Sequence, residues 1–204
     1  MSRWFALLML LPGSALCATL DVLHFGYADP QQGRVGSTIS LIRAGDQIIV
    51  ADPGMSREEA WFQVLDDMMG LGVTPEQVTQ VFISHHHPDH LTRVGVFPNA
   101  ELVDYQAIYH HDGLRPHEDN YQLAPGVTLV RTPGHTAEDA SLLVETEQGV
   151  FLLTHMWWSE QGPEIDPLAE DQAQLEQSRQ ALIDRVDWIV PGHGAPYPNP
   201  AKSR

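Results

Sequence analysis

"SHHHPDHLTRVGVFP" (residues 84–98) sets four histidines and an aspartate into the six positions 85–90, directly after the apolar run "VFI". Burying a row of imidazoles is costly unless each one finds a partner. If the first part stays extended, His85 and His87 point to one side and His86 to the other. Pro88 then favours entry into a helical turn, with Asp89 near its positive end and His90 free to face a second centre.

Histidines recur further along at strand ends, each beside a glycine or a tight turn. "TPGHT" presents His135 after "VTLVR", "THMWW" presents His155 after "VFLL", and "VPGHG" presents His193 after "DWIV". A strand end feeding a short loop is a rigid mount for a side chain that must converge with others. Three such mounts and one dense cluster point to a metal site assembled from distant parts of the chain. Imidazoles with an occasional carboxylate suit zinc first, with iron, manganese or cobalt as further divalent candidates.

The remaining pattern predicts the frame. "DVLHFGYA", "GSTISLIRAGDQIIVADPG", "VFIS", "AELVDYQ", "GVTLVRT", "ASLLVET", "GVFLLTH" and "DWIV" read as strands, β-branched and bounded by Gly, Pro and Asp. "SREEAWFQVLDDMMGLG" reads as an amphipathic helix capped by Ser56. "DQAQLEQSRQALIDRV" reads as a second, with Leu175, Ala181, Leu182 and Val186 on its apolar side. This order suits one α/β domain, sheet on sheet with helices outside. "YHHDGLRPHEDNY" (109–121) reads as a loop, and the tail "YPNPAKSR" as loosely ordered.

Together, H-x-H-x-D-H and the glycine-framed histidines resemble the metallo-β-lactamase superfamily. The likeness runs from "DVLHFGYADP" through "VADPG" and "SHHHPDH" to "TPGHT" and "VPGHG". It implies an αββα sandwich, two mixed sheets face to face with helices outside. It also implies two metal centres, His85, His87 and His135 in the first and Asp89, His90 and His193 in the second. Asp52 matches a carboxylate that braces the ligand loops without touching metal, and His86 a variable position. One position departs from the pattern. Thioesterase and lactonase branches carry a metal-bridging aspartate where this chain has Thr154–His155, and a neutral imidazole has one free lone pair and cannot bridge likewise. His155 therefore binds one metal terminally, stands off in a hydrogen bond, or leaves the second centre weak, so one or two zinc ions are expected.

The resemblance implies metal-assisted hydrolysis, in which the metal lowers the pKa of a bound water to about 7. Asp89, besides ligating, is the catalytic candidate that orients the nucleophile. The expected substrate is a small ester, lactone, thioester or β-lactam. Two other readings stand beside it: an iron-dependent redox enzyme like the persulfide dioxygenases, and an endoribonuclease, implied by the subgroup that "GYADP" and "DHLTRVGVFPNA" most resemble. His111 and Trp157 are candidates for substrate contact, set against a solvated loop and core packing respectively.

Composition narrows these choices. Acidic residues outnumber basic ones 27 to 11 in 204 residues, for a formal charge of −16, which repels phosphate backbones. Nucleic acid is therefore a poor partner and a small molecule a better one. "MSRWFALLMLLPGSALCA" (1–18) reads as a secretory leader, with Arg3 as its basic start and an apolar run too short to span a bilayer. The expectation is an exported protein, periplasmic or secreted, whose domain occupies 19–204. The single cysteine, Cys17, lies in that leader, so no thiolate ligand is available after cleavage.

Overall fold

Aliphatic and β-branched runs separated by turn residues fold here, among the described residues, as fifteen strands with three α-helices. The computed structural model describes residues 17–202; the leader read at 1–18 falls almost wholly outside these residues. In chain order the first half comprises β1 (Thr19–His24), β2 (Tyr27–Asp29), β3 (Arg34–Gly36), β4 (Ile39–Ala44), β5 (Gln47–Ala51), α1 (Glu58–Gly70), β6 (Gln80–Phe82), α2 (Pro88–Leu91), β7 (Glu101–Val103), β8 (Ala107–His110) and β9 (Gly113–Pro116). The second half comprises β10 (Tyr121–Ala124), β11 (Val127–Arg131), β12 (Ala140–Thr146), β13 (Gly149–Thr154), α3 (Gln172–Ile183), β14 (Trp188–Pro191) and β15 (Tyr197–Pro198).

Two mixed sheets result. The first runs β1-β4-β5-β6-β7-β8-β9 and the second β10-β11-β12-β13-β14-β15, while β2 and β3 form a hairpin of their own. The inner faces of the two sheets meet through Ile42, Ile49 and Phe82 from one and Leu129, Leu142 and Val144 from the other. On the outer face of the first sheet, Trp61, Val64 and Met68 of α1 cover Leu41, Val50 and Val81. On the outer face of the second, Leu175 and Leu182 of α3 cover Val130, Leu143 and Leu152. Period-2 burial on the strands and a helical stripe on each helix thus stack four layers, the αββα sandwich that the sequence implies. Among the described residues no helix is long and apolar enough to cross a membrane.

Local departures have local causes. Gly26 divides "DVLHFGYA" into β1 and β2 because its backbone runs against Ser37 and Thr38, where a Cβ has no room. Ser56 does not cap α1: Arg57 is the N-cap, without a side-chain bond, and the Ser56 hydroxyl is buried without a partner. On α3, Asp171 caps through Gln174 N (2.9 Å). Ala181 is exposed there, whereas Arg179 is buried because its guanidinium donates twice to the Met156 carbonyl. The segment read as a loop at 109–121 is mostly strand, because "AIYHHDGLRP" folds back on itself as the β8–β9 hairpin. The tail is tied down as far as residue 202: Tyr197 is buried, and Asn199 donates to the carbonyls of Ile183 and Val186.

Candidate metal centre

Strand direction decides which side chains meet. In the first sheet β5 and β6 run parallel, so Asp52 and His85 leave at the same edge. In the second, β11 and β13 are both antiparallel to β12, and β13 is parallel to β14. His135, His155 and His193 follow the ends of β11, β13 and β14 and so emerge together, opposite the first group.

The turn that carries the dense cluster is held from behind. His87 is the N-cap of the single-turn α2, with Pro88 at its first position. The preceding loop grips this turn through Met55 N to Asp89 O (2.9 Å) and Arg93 N to Pro53 O (2.9 Å). Gly54 lies so close that any Cβ there would overlap the Asp89 carbonyl. Asp52 takes a left-handed backbone (φ +51°), uncommon outside glycine, and its side chain uses both oxygens. Oδ1 accepts from Ser84 N (2.7 Å) and Oδ2 from His90 Nδ1 (2.9 Å). The bracing geometry expected of Asp52 is thus present.

Ligand nitrogens and oxygens gather as the sequence implies. His85, His87 and His135 form one group and Asp89, His90 and His193 another, each with its ligating atoms within 4.8 Å of one another. His155 sits between them, grouped with His85 and His90 and also with His135 and Asp166. Its Nε2 lies 3.0 Å from His193 Nε2, and its ring centre 4.0 Å from that of His135.

The outer nitrogens fix the tautomers. His90 Nδ1–H donates to Asp52, His135 Nδ1–H to Asp166 Oδ2 (2.7 Å) and His193 Nδ1–H to the Gly36 carbonyl (3.0 Å). For His135 and His193 the Nε2 lone pair is left facing inward, whereas His90 Nε2 lies 3.4 Å from Asp89 Oδ2. His87 presents Nδ1 instead, 3.1 Å from His135 Nε2. Two atoms of the cluster lack hydrogen-bond partners: Nε2 of His85 is buried and unpaired, as is Nδ1 of His155. Facing imidazole nitrogens with one proton at most between them, beside orphaned lone pairs, are what a borderline divalent cation satisfies. The residues fit a metal.

Electrostatics agree with this donor set. Burial first, then repulsion among neighbouring imidazoles, pushes His85 and His155 well below the ordinary histidine range. Burial and His90 lower His193 to about 4. These rings are neutral donors at pH 7. Burial opposes ionisation of Asp89, but its hydrogen bond to His90 and the fields of His90 and His193 outweigh it and hold the carboxyl at about 2. For His90, burial is likewise outweighed by the Asp52 charge and hydrogen bond, which raise it to about 9. A cation entering here displaces that proton.

The cluster forms the floor of a cavity of about 230 Å³. Its walls come from the β2–β3 hairpin on one side and from Trp158 and Leu168 on the other. Two expectations need correction. Trp157 does not face this cavity: its ring packs under the Arg179 guanidinium (5.4 Å) and against the core behind α3, and Trp158 takes the wall position. His111 is exposed at the tip of the β8–β9 hairpin and does not line the cavity. His86 points away from the cluster, its nitrogens on Glu138 Oε2 (2.6 Å) and Asp104 Oδ2 (3.2 Å).

Sequence reasoning missed several contributors. Asp166, 31 residues beyond His135, accepts from both His135 and Trp158 Nε1 (3.1 Å). Asp139 lies behind His85 (3.6 Å to Nδ1), and burial raises its carboxyl to about 7. Neither sits in a motif, although "GHTAED" places Asp139 four residues after His135. The β2–β3 hairpin went unrecognised as a wall.

Comparison with known proteins bears on the same residues. The family described as "Metallo-beta-lactamase superfamily" matches residues 32–200. Metallo-beta-lactamase domain-containing protein 1 of Xenopus laevis is 30% identical over 199 residues, covering 92% of this chain and 83% of that protein. An N-acyl homoserine lactonase of Bacillus thuringiensis is 32% identical over 118 residues, covering 50% of this chain and 46% of that one. A metallo-beta-lactamase family protein from Thermus thermophilus superposes with a TM-score of 0.67 at 17% identity, covering 88% of this chain and 75% of the other. That last likeness speaks to the fold alone. By sequence match and by architecture, this chain belongs to the metallo-β-lactamase superfamily.

Proposed function

We propose that this protein cleaves a small ester, lactone, thioester or β-lactam at a zinc centre, and that it does so after export. The chain is a metal-dependent hydrolase of its superfamily; zinc, the substrate and the location are the proposed part. The observation that carries the reading is the convergence of two ligand groups on the floor of one small, mostly apolar cavity. The resemblance to an N-acyl homoserine lactonase supports a lactone or a related acyl compound.

A cation bound here supplies Lewis acidity and a water of lowered pKa. His85, His87 and His135 would hold one ion, and Asp89, His90 and His193 a second, with His155 within reach of both groups. Asp89, ionised and exposed to the cavity, accepts a hydrogen bond from the attacking water and orients it. The hairpin, Trp158 and Leu168 exclude bulk solvent from the reacting carbonyl. A nuclease is disfavoured because, among the described residues, one arginine is the only Lys or Arg in the cavity wall, and the whole chain carries −16.

Elemental mass spectrometry of protein purified without added metal tests the centre. One or two zinc ions per chain are expected, and iron in their place would overturn the hydrolase chemistry proposed. A panel of nitrophenyl esters, lactones, thioesters and β-lactams then tests the substrate class. Mass analysis of the exported product tests the leader, with loss of the first 17 or 18 residues expected.

A further inference from the structure

The wall of the cavity holds one unanswered charge. Arg34, on β3, lines the cavity above the ligand cluster, and among the described residues no other Lys or Arg does so. Its guanidinium carbon stands 5.3 Å from the Tyr27 ring centre, a cation–π contact that steadies it. Among the described residues its side chain makes no ion pair and no hydrogen bond. Arg43, Arg115, Arg179 and Lys202 each reach a carboxylate, while Arg93 stacks on Trp61 and Arg131 bonds backbone carbonyls, both away from the cavity.

Across the hairpin from Arg34 stands a carboxylate, Asp29, which also lines the cavity. Its Oδ1 accepts from Gln32 N (3.1 Å) in the turn, and no Arg34–Asp29 ion pair forms. A protein with 27 acidic residues therefore leaves an arginine unpaired in the wall of its substrate cavity.

We propose that Arg34 recognises a carboxylate on the substrate, so that the site takes compact esters, lactones or lactams that carry one. This deepens the hydrolase reading above and rests on it. Guanidinium and carboxylate match as two parallel hydrogen bonds, a geometry that a lone ammonium does not offer. Arg34 is exposed on the hairpin, so solvent screens part of this attraction, and the bidentate geometry supplies the selectivity. At about 230 Å³ the cavity is smaller than the pockets that take drug-sized ligands. One small molecule touching Arg34 therefore also lies against the ligand cluster. Elsewhere the −16 field of the chain repels anions, which makes this one cation the discriminating feature.

The test compares mono(4-nitrophenyl) glutarate with its neutral methyl ester on the full-length protein, metal content measured. Wild type should favour the free carboxylate through KM. Arg34→Gln should raise KM for that ester by roughly 10–100-fold, the worth of a charge-assisted pair, with kcat and the neutral ester little changed. Arg34→Lys should recover part of the loss. Equal effects on both esters, or none on either, would overturn the proposal. Should neither ester be cleaved, calorimetric binding of glutarate separates the two ideas. Glutarate binding that Arg34→Gln abolishes would uphold the carboxylate subsite while the ester reading fails. Absent binding, binding indifferent to residue 34, or tighter binding of inorganic phosphate would overturn the subsite itself.

Discussion

Two stretches of this chain crowd histidines together and meet opposite fates: "SHHHPDH" (84–90) and "YHHDGLRPH" (109–117). The first leaves the sheet where β5 and β6 end side by side, facing three strand ends of the other sheet. The second lies at the far edge of the first sheet, across β8 and β9, with no facing layer at its turn. There His110 and His111 are exposed, and His117 is buried between two backbone carbonyls, Asp104 O 2.9 Å from Nε2 and Glu118 O 3.0 Å from Nδ1, to one of which a neutral ring donates. Crowded imidazoles give a candidate ligand cluster in one place and a structural fastener in the other. What differs is the supply of convergent lone pairs from a second element, and of acceptors behind each ring.

The contrast can be broken most forcefully at its centre. His135→Ala should strip metal and lower kcat/KM by at least about 10³-fold, well beyond the roughly 10–100-fold that losing an outer partner costs. Elemental analysis alongside kinetics checks this, and retained metal with full activity would refute the ligand assignment. Next comes Gly54→Ala, which forces the Asp89 carbonyl aside. Overpacking of this kind costs about 1–3 kcal/mol, and a drop in Tm of roughly 5–10 °C with reduced metal content is expected. Asp166→Asn keeps the shape but weakens the acceptor behind His135, so metal affinity should fall roughly 10–100-fold in a chelator competition, with Tm nearly unchanged. His117→Ala should do the reverse, losing about 1–2 kcal/mol of stability by denaturant titration while metal content holds. Smallest of all, His111→Ala should move neither quantity beyond about 0.5 kcal/mol. A loss of activity there would mean that the hairpin tip reaches substrate after all.

Much of this frame was legible before any coordinates. The two amphipathic helices and the inner strands announce themselves by period, and the four layers follow from which faces are apolar. The convergence of the candidate ligands was legible because histidines recur at strand ends, most of them beside glycine, in the order the family resemblance implies. Three things were not. The hairpin from Ala107 to Pro116 carries Gly, Pro, Asp and two histidines, a composition that reads as loop, and it holds its place through cross-strand pairing with β7 that only the tertiary fold supplies. The acceptor Asp166, and Asp139 behind His85, are ordinary surface-like aspartates in sequence, and only convergence distinguishes them. The roles of Trp157 and Trp158 hinge on which of two adjacent indoles turns inward. Arg179 settles that by occupying the face of Trp157.

The division of the cluster between the layers has a mechanical consequence. His85, His87, Asp89 and His90 belong to the first sheet's edge, and His135, His155 and His193 to the second's. A cation coordinated by both halves is a removable rivet through the seam of the sandwich, in a chain whose one cysteine cannot form an internal disulfide. Binding that favours the folded state adds about 4 kcal/mol when free metal stands a thousandfold above its dissociation constant. With an ion held this way, its supply would govern how long the folded protein lasts against heat or protease as well as how fast it turns over. Chelation should open the seam first along the ligand edge, leaving each sheet with its own helix as the last parts to melt.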